Sequence, residues 1–115
     1  MRSHLSSRVL RRAVIFLVAS LSIGGCGTVR NPSLERARDA YQKARQDPLI
    51  VRNAGAALDR AQLTLETAEQ LWAKEHDVNE VEHLAYIAEK RVEIARVTAE
   101  RRQAAEELKQ GGGRP

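Results

Sequence analysis

Three side chains near the middle of the chain have the types and spacing for metal chemistry. His76, Glu80 and His83 step by 4 and 3, so on a helix they share one face. Glu80-x-x-His83 also matches the carboxylate–imidazole pair with which helical bundles ligate ions. Such sites need further carboxylates from facing helices, and His76 falls before the start of the helix that would carry the other two. The expectation is therefore no metal and no cofactor. His83 and Tyr86 are instead expected to be packing groups at a helix turn, hydrogen-bonding the carbonyls left free at the end of the preceding helix. Trp72, at the same end, is expected to close the core with its indole N–H on a partner. Catalysis finds less support still. Beyond residue 25 the only serine is Ser33, no strand supports a nucleophile elbow, and Gly111-Gly112-Gly113 opens no helix. A narrow helical bundle also offers little concave surface. A non-enzymatic protein is expected.

The other reactive side chain is the single cysteine, Cys26. Arg2, Arg8, Arg11 and Arg12 precede it without an acid, followed by eleven uncharged residues, Ala13 to Ile23. That apolar run is too short to span a bilayer, which takes about 20 residues, but it suits the middle of an export signal. Ile23-Gly24-Gly25-Cys26 resembles a lipobox: a branched apolar residue, small residues that let a peptidase hold extended backbone, then the thiol. Cleavage between Gly25 and Cys26 would leave that thiol to carry a thioether-linked diacylglycerol. Acylation would moor the protein, each buried methylene being worth about 0.8 kcal/mol, and would remove an unpaired thiol from an oxidising compartment. Gly27 follows Cys26 where an Asp would favour retention in the inner membrane. By resemblance to enterobacterial lipoproteins, the expected location is the outer membrane, periplasmic face.

The chain is formally +4, yet the four arginines of residues 1–25 account for the whole excess. Without them Lys+Arg equal Asp+Glu, and a balanced surface has no footprint for a phosphate backbone. Nucleic acid is not an expected partner. Residues 26–32 read as the lipidated Cys and a tether, since no periodicity runs through them. From Ser33 the pattern is helical to about Gln110, and 111–115 read as a flexible tail.

Three stripes define the helices. Leu34, Ala37, Tyr41 and Ala44 share one face of a first helix, with Ser33 as its expected N-cap. Asp47-Pro48 stops it. Leu58, Ala61, Leu65, Ala68 and Trp72 mark a second helix of about 21 residues, capped by Asn53. Asp77-Val78-Asn79-Glu80 has the form of a capping box. Behind it Val81, Ala85, Ala88, Val92, Ala95 and Ala99 keep the rhythm of a third helix, with Leu84, Ile87 and Ile94 expected to widen the stripe. The fold class expected is all-α, two shorter helices against one long C-terminal helix, as a hairpin with a broken arm or a three-helix, coiled-coil-like bundle. Alanine seams let helix axes approach closely but bury little area per contact. Self-association through exposed Leu and Ile positions, or binding to another envelope protein, is expected to supply more. Arg91, Arg96, Arg101 and Arg102, interleaved with Glu89, Glu93, Glu100 and Glu106, read as a solvated polar face.

Three stretches carry a family resemblance: Pro32-Ser33-Leu34-Glu35-Arg36-Ala37-Arg38 with Ala40-Tyr41, Asp47-Pro48 with Ala57-Leu58-Asp59-Arg60-Ala61, and His83-Leu84-Ala85-Tyr86-Ile87-Ala88. Together they resemble the domain-of-unknown-function 4398 family, small helical domains of bacterial envelope lipoproteins. The resemblance implies no catalytic residue. In some relatives the domain precedes an OmpA-like peptidoglycan-binding domain. This chain ends in Gly-Gly-Gly-Arg-Pro instead, so peptidoglycan binding is not carried over. It also has Gly55 where the family pattern would place a helix-starting Pro. The expected function is a lipid-anchored scaffold or adaptor in the envelope. The alternatives are a self-assembling coiled-coil spacer between membrane and wall and a carrier binding metal through His76, Glu80 and His83.

Overall fold

Asn31, not Ser33, starts the first helix. In a computed structural model of the chain, which describes residues 29–112, the Asn31 side-chain oxygen accepts the amide protons of Ser33 at 3.0 Å and Leu34 at 3.1 Å. Pro32 then takes the first helical position, where its missing N–H costs nothing. Helix α1 runs Pro32–Arg45. As expected, Asp47-Pro48 ends it, but the same pair also starts the next helix. The Asp47 carboxylate accepts from the Leu49 amide at 2.9 Å, and α2 runs Pro48–Glu75.

The expected cap at Asn53 is therefore corrected. Its side-chain amide donates to the Leu49 carbonyl at 3.0 Å, one turn back inside α2. A further interruption, which the sequence did not mark, lies one residue later at Ala54, whose φ of −138° and ψ of 31° are not helical. Pro48–Asn53 thus forms a short helical arm, and the long rod begins at Gly55. That arm adds Ile50 and Ala54 to the buried residues. It also makes α2 28 residues long, longer than the second stripe alone defined.

Between α2 and α3 (Val78–Gly112) the chain reverses in two residues. His76 takes the left-handed conformation, φ 52°, and its N–H meets the Trp72 carbonyl at 3.3 Å. Asp77 then accepts the Glu80 amide at 3.2 Å, the forward half of the expected capping box. Gly111 and Gly112 continue α3 instead of ending it at Gln110. The lipobox with Gly25 and Cys26, and residues 113–115, lie outside the described residues.

Each helix packs on the other two, and the long C-terminal helix lies against both shorter ones. There is no strand among the described residues. Every residue of the α1 and α3 stripes named from the sequence is buried, and in α2 only Trp72 is partly exposed. Nine of the sixteen buried apolar residues are alanines, so the helices approach on methyl groups and the core is thin. Two polar side chains share it: Asn31, the cap, and Thr64. Among the described residues no buried side-chain polar atom lacks a partner.

Candidate docking surface

The site is built at two places: where the N-terminal segment meets the bundle, and along the outer side of α3. At the first, Trp72 packs on the edge of the core and its indole N–H donates to the Val29 carbonyl at 3.0 Å. The His76 ring lies 4.8 Å from the indole, tilted by 52°. Arg38 and Glu69 pair at 2.9 Å beside them. Trp72, Val29, Arg38 and Glu69, with Leu34, border an open depression of about 220 Å³, smaller than the roughly 300–1,000 Å³ typical of small-molecule sites. What the arrangement does is hold the chain. The incoming segment is fixed at the end of the bundle where α2 turns into α3.

His83 and Tyr86 do not take part. Both are exposed, Tyr86 by 58%, and neither bonds a carbonyl of α2. The reason is helical geometry. With Val81, Ala85 and Ala88 facing inward, positions 83 and 86 fall on the outer half of α3 at 100° per residue. Tyr86 instead has the Lys90 ammonium 5.7 Å from its ring centre. His76, Glu80 and His83 are also not gathered into a site. All three are exposed, and among the described residues no three His, Cys, Asp or Glu side chains are placed to share an ion.

The charges of α3 divide into two sets, where one solvated face was expected. Arg91 reaches across to α2 and donates to the Thr64 hydroxyl and, at 3.3 Å, to the Arg60 carbonyl. Arg102 donates to the Asn53 carbonyl beside the Ala54 interruption. Glu89 lies 3.8 Å from Arg36 of α1. These three bind the helices together. Lys90 and Glu93 pair with each other at 2.9 Å on the outer side. Their hydrogen bond holds the Lys90 pKa above and the Glu93 pKa below the ordinary values.

The outer side of α3 carries a second apolar row. Ile94 is 59% exposed, Val97 38% and Leu108 76%, and Ile87 is half-buried. Leu84 packs against the core as expected. Ile94 does not widen the inner stripe, because it sits about 160° around the helix from Val92. Spacing held the signal: Ile87, Ile94 and Leu108 fall on one seven-residue repeat, separate from the repeat of the inner alanines. At Ile87 this row meets a shallow groove of about 230 Å³ between α2 and α3, lined by Leu63, Thr64, Thr67, Leu84 and Arg91. Residues 100–112 of α3 are all exposed. No helix of the described residues is long and apolar enough to cross a membrane.

A surface of this kind is suited to binding another helix, because its apolar row has length and regular spacing but no depth. Comparison with curated proteins found no match, and comparison with solved structures found none either. The comparison with family models did find one, and it spans all three helices. Residues 32–110 match the model described as domain of unknown function DUF4398, and the chain belongs to that family.

Proposed function

We propose that the protein is a non-enzymatic, lipid-anchored helical scaffold of the bacterial envelope. It is moored through Cys26 on the periplasmic face of the outer membrane and offers α3 to another envelope component. The observation that carries the docking role is the two-sided nature of α3. One row of residues is buried against α1 and α2, and of a second row Ile94, Val97 and Leu108 are exposed and Ile87 half-buried among the described residues. Soluble monomers scatter single apolar residues over their surface, whereas apolar residues gathered along one side of a helix fit an interaction site. Mooring is supported by the arginine-rich leader, the short apolar run and the lone cysteine.

Labelled palmitate tests the anchor. Full-length protein should incorporate it, Cys26→Ala should not, and that variant should leave the membrane fraction. A Cys26→Ala form that fractionates unchanged overturns the mooring. A photo-crosslinking residue at Ile94, in intact cells, tests the docking role. Adducts should form there and not at Ala73, which is exposed on α2.

A further inference from the structure

We infer that the outer row of α3 docks on the same row of a second copy of this chain, parallel and in register. The inference rests on the reading of that row as a docking surface and names its partner. Read as a heptad, Ile87, Ile94, Arg101 and Leu108 fall at one core position, and Lys90, Val97 and Ala104 at the other. Five of these seven are apolar, and the seven-residue period brings them onto one seam of a two-stranded coiled coil. The register continues past the bundle. Ala104 and Leu108 lie in the exposed part of α3, where neither α1 nor α2 provides a partner.

Charge complementarity selects a second copy as the occupant. Glu93, Glu100 and Glu107 recur every seven residues along one edge of the seam, the edge from which acids reach across to a partner helix. In a parallel, in-register pair the guanidinium of Arg101 lies beside Glu100 of the second copy, and the reverse contact forms by symmetry. Arg101 makes no ion pair among the described residues of its own chain, so it is available for this one. Lys90 is already matched by Glu93 at 2.9 Å. The antiparallel alternative sets Ile94 against Val97 and Lys90 against Arg101, while the parallel pair sets Lys90 and Arg101 each against its own copy, so the core charges leave the orientation to the mooring. A charged residue within such a seam fixes register at some cost in stability. The acidic edge also opposes docking on an anionic lipid surface.

Direction gives an independent argument. The Trp72 bond to the Val29 carbonyl holds the incoming N-terminal segment at the end where α3 begins. Two copies moored in one leaflet therefore point their α3 helices the same way. The thin alanine core gives such pairing a physical purpose, because small domains bury a low share of their surface and gain from added contact.

The test is disulfide trapping of the full-length protein in intact cells, with single substitutions Ile94→Cys and Leu108→Cys. Wild-type protein and Ala73→Cys serve as baselines that account for Cys26. In the parallel pair both seam variants form dimers with themselves on mild oxidation, several-fold above the baselines. Arg101→Glu should lower the Ile94→Cys dimer at least tenfold, and adding Glu100→Arg should restore it. Both residues are exposed, so circular dichroism should show the fold unchanged. The inference is overturned if neither seam variant rises above baseline, if Ile94→Cys pairs only with a co-expressed Val97→Cys chain, or if it links only to a different protein. That last result would still support the scaffold. Palmitate labelling in the same cells reports separately on mooring: loss of label with dimers intact would overturn the anchor alone.

Discussion

The guanidinium of Arg91 donates to the hydroxyl of Thr64, whose own proton goes to the Arg60 carbonyl at 3.1 Å. One threonine thereby lets α3 reach the backbone of α2 through a polar link at the margin of an otherwise apolar core. Thr64 is only 7% exposed, so its oxygen depends on these partners and not on water.

The link should therefore appear as coupling between the two side chains. Thr64→Val keeps the volume of the side chain and Arg91→Met keeps the stem. A double-mutant cycle in urea should give an interaction of about 0.5–1.5 kcal/mol, the net worth of one hydrogen bond. Additive effects of the two substitutions would mean that the contact contributes nothing.

The alanine seam should tolerate no growth. Ala88 is 1% exposed between the helices, and Ala88→Leu should cost about 1–3 kcal/mol through overpacking. Ala73→Leu, on the exposed side of α2, should change stability by less than about 0.5 kcal/mol. Thermal unfolding of the two variants checks the contrast.

Gly55 opens the long part of α2 just after the Ala54 interruption, and a β-carbon built on it meets nothing within 4 Å. Its conformation is open to any residue, so the glycine adds only unfolded-state freedom. Gly55→Ala should stabilise the protein by about 0.4–1 kcal/mol. A destabilised variant would show that the interruption needs glycine beside it.

Lys90 and Glu93 should give a contribution bounded on both sides in pH. Their hydrogen bond, then their mutual charge, lowers the Glu93 pKa from its ordinary 4.5 and raises that of Lys90 from its ordinary 10.5. For a lowered carboxyl pKa the stabilisation is present above 4.5 and fades as pH falls through the folded value. For a raised amine pKa it is present below 10.5 and fades as pH rises through the folded value. Melting curves of the wild type and Glu93→Gln should therefore differ between those limits and converge at both extremes. Because the pair is exposed, 1 M salt should narrow the difference.

Trp72→Phe keeps a ring on the core but removes the donor that holds the Val29 carbonyl. Trypsin should then cut after Arg30 several-fold faster, with the melting temperature changed by only a few degrees. An unchanged cleavage rate would mean that Asn31 and Pro32 hold this segment without the indole.

Much of the fold was legible because its core repeats. Large–small alternation at intervals of three and four marked Leu58, Ala61, Leu65 and Ala68 as surely as Val81 to Ala99, and periodicity is the strongest signal a helix gives. Caps were harder, since Asn31, Ser33, Asp47 and Asn53 all bear suitable oxygens. Pro32 and Pro48 decided among them: each asks for a cap directly before it, which selects Asn31 and Asp47. Ala54 carried no mark of its own, because the bend there goes with the packing of the Pro48–Asn53 arm, whose Ile50 is buried in the core with Ala54 itself. The outer row of α3 was hidden by the inner one. With apolar residues on opposite sides of the helix, the amphipathic signal cancels, and Ile94 was assigned to the wrong half. Tyr86 and His83 were drawn to the turn by nearness in sequence, where rotation about the axis decides.

The bond between Trp72 and Val29 also sets a vertical scale. With the entry segment clamped at the base, the rise from Val78 to Leu108 is about 45 Å. In the proposed mooring the molecule is a post of fixed height, and the far tip of α3 meets only those structures that come down to that altitude.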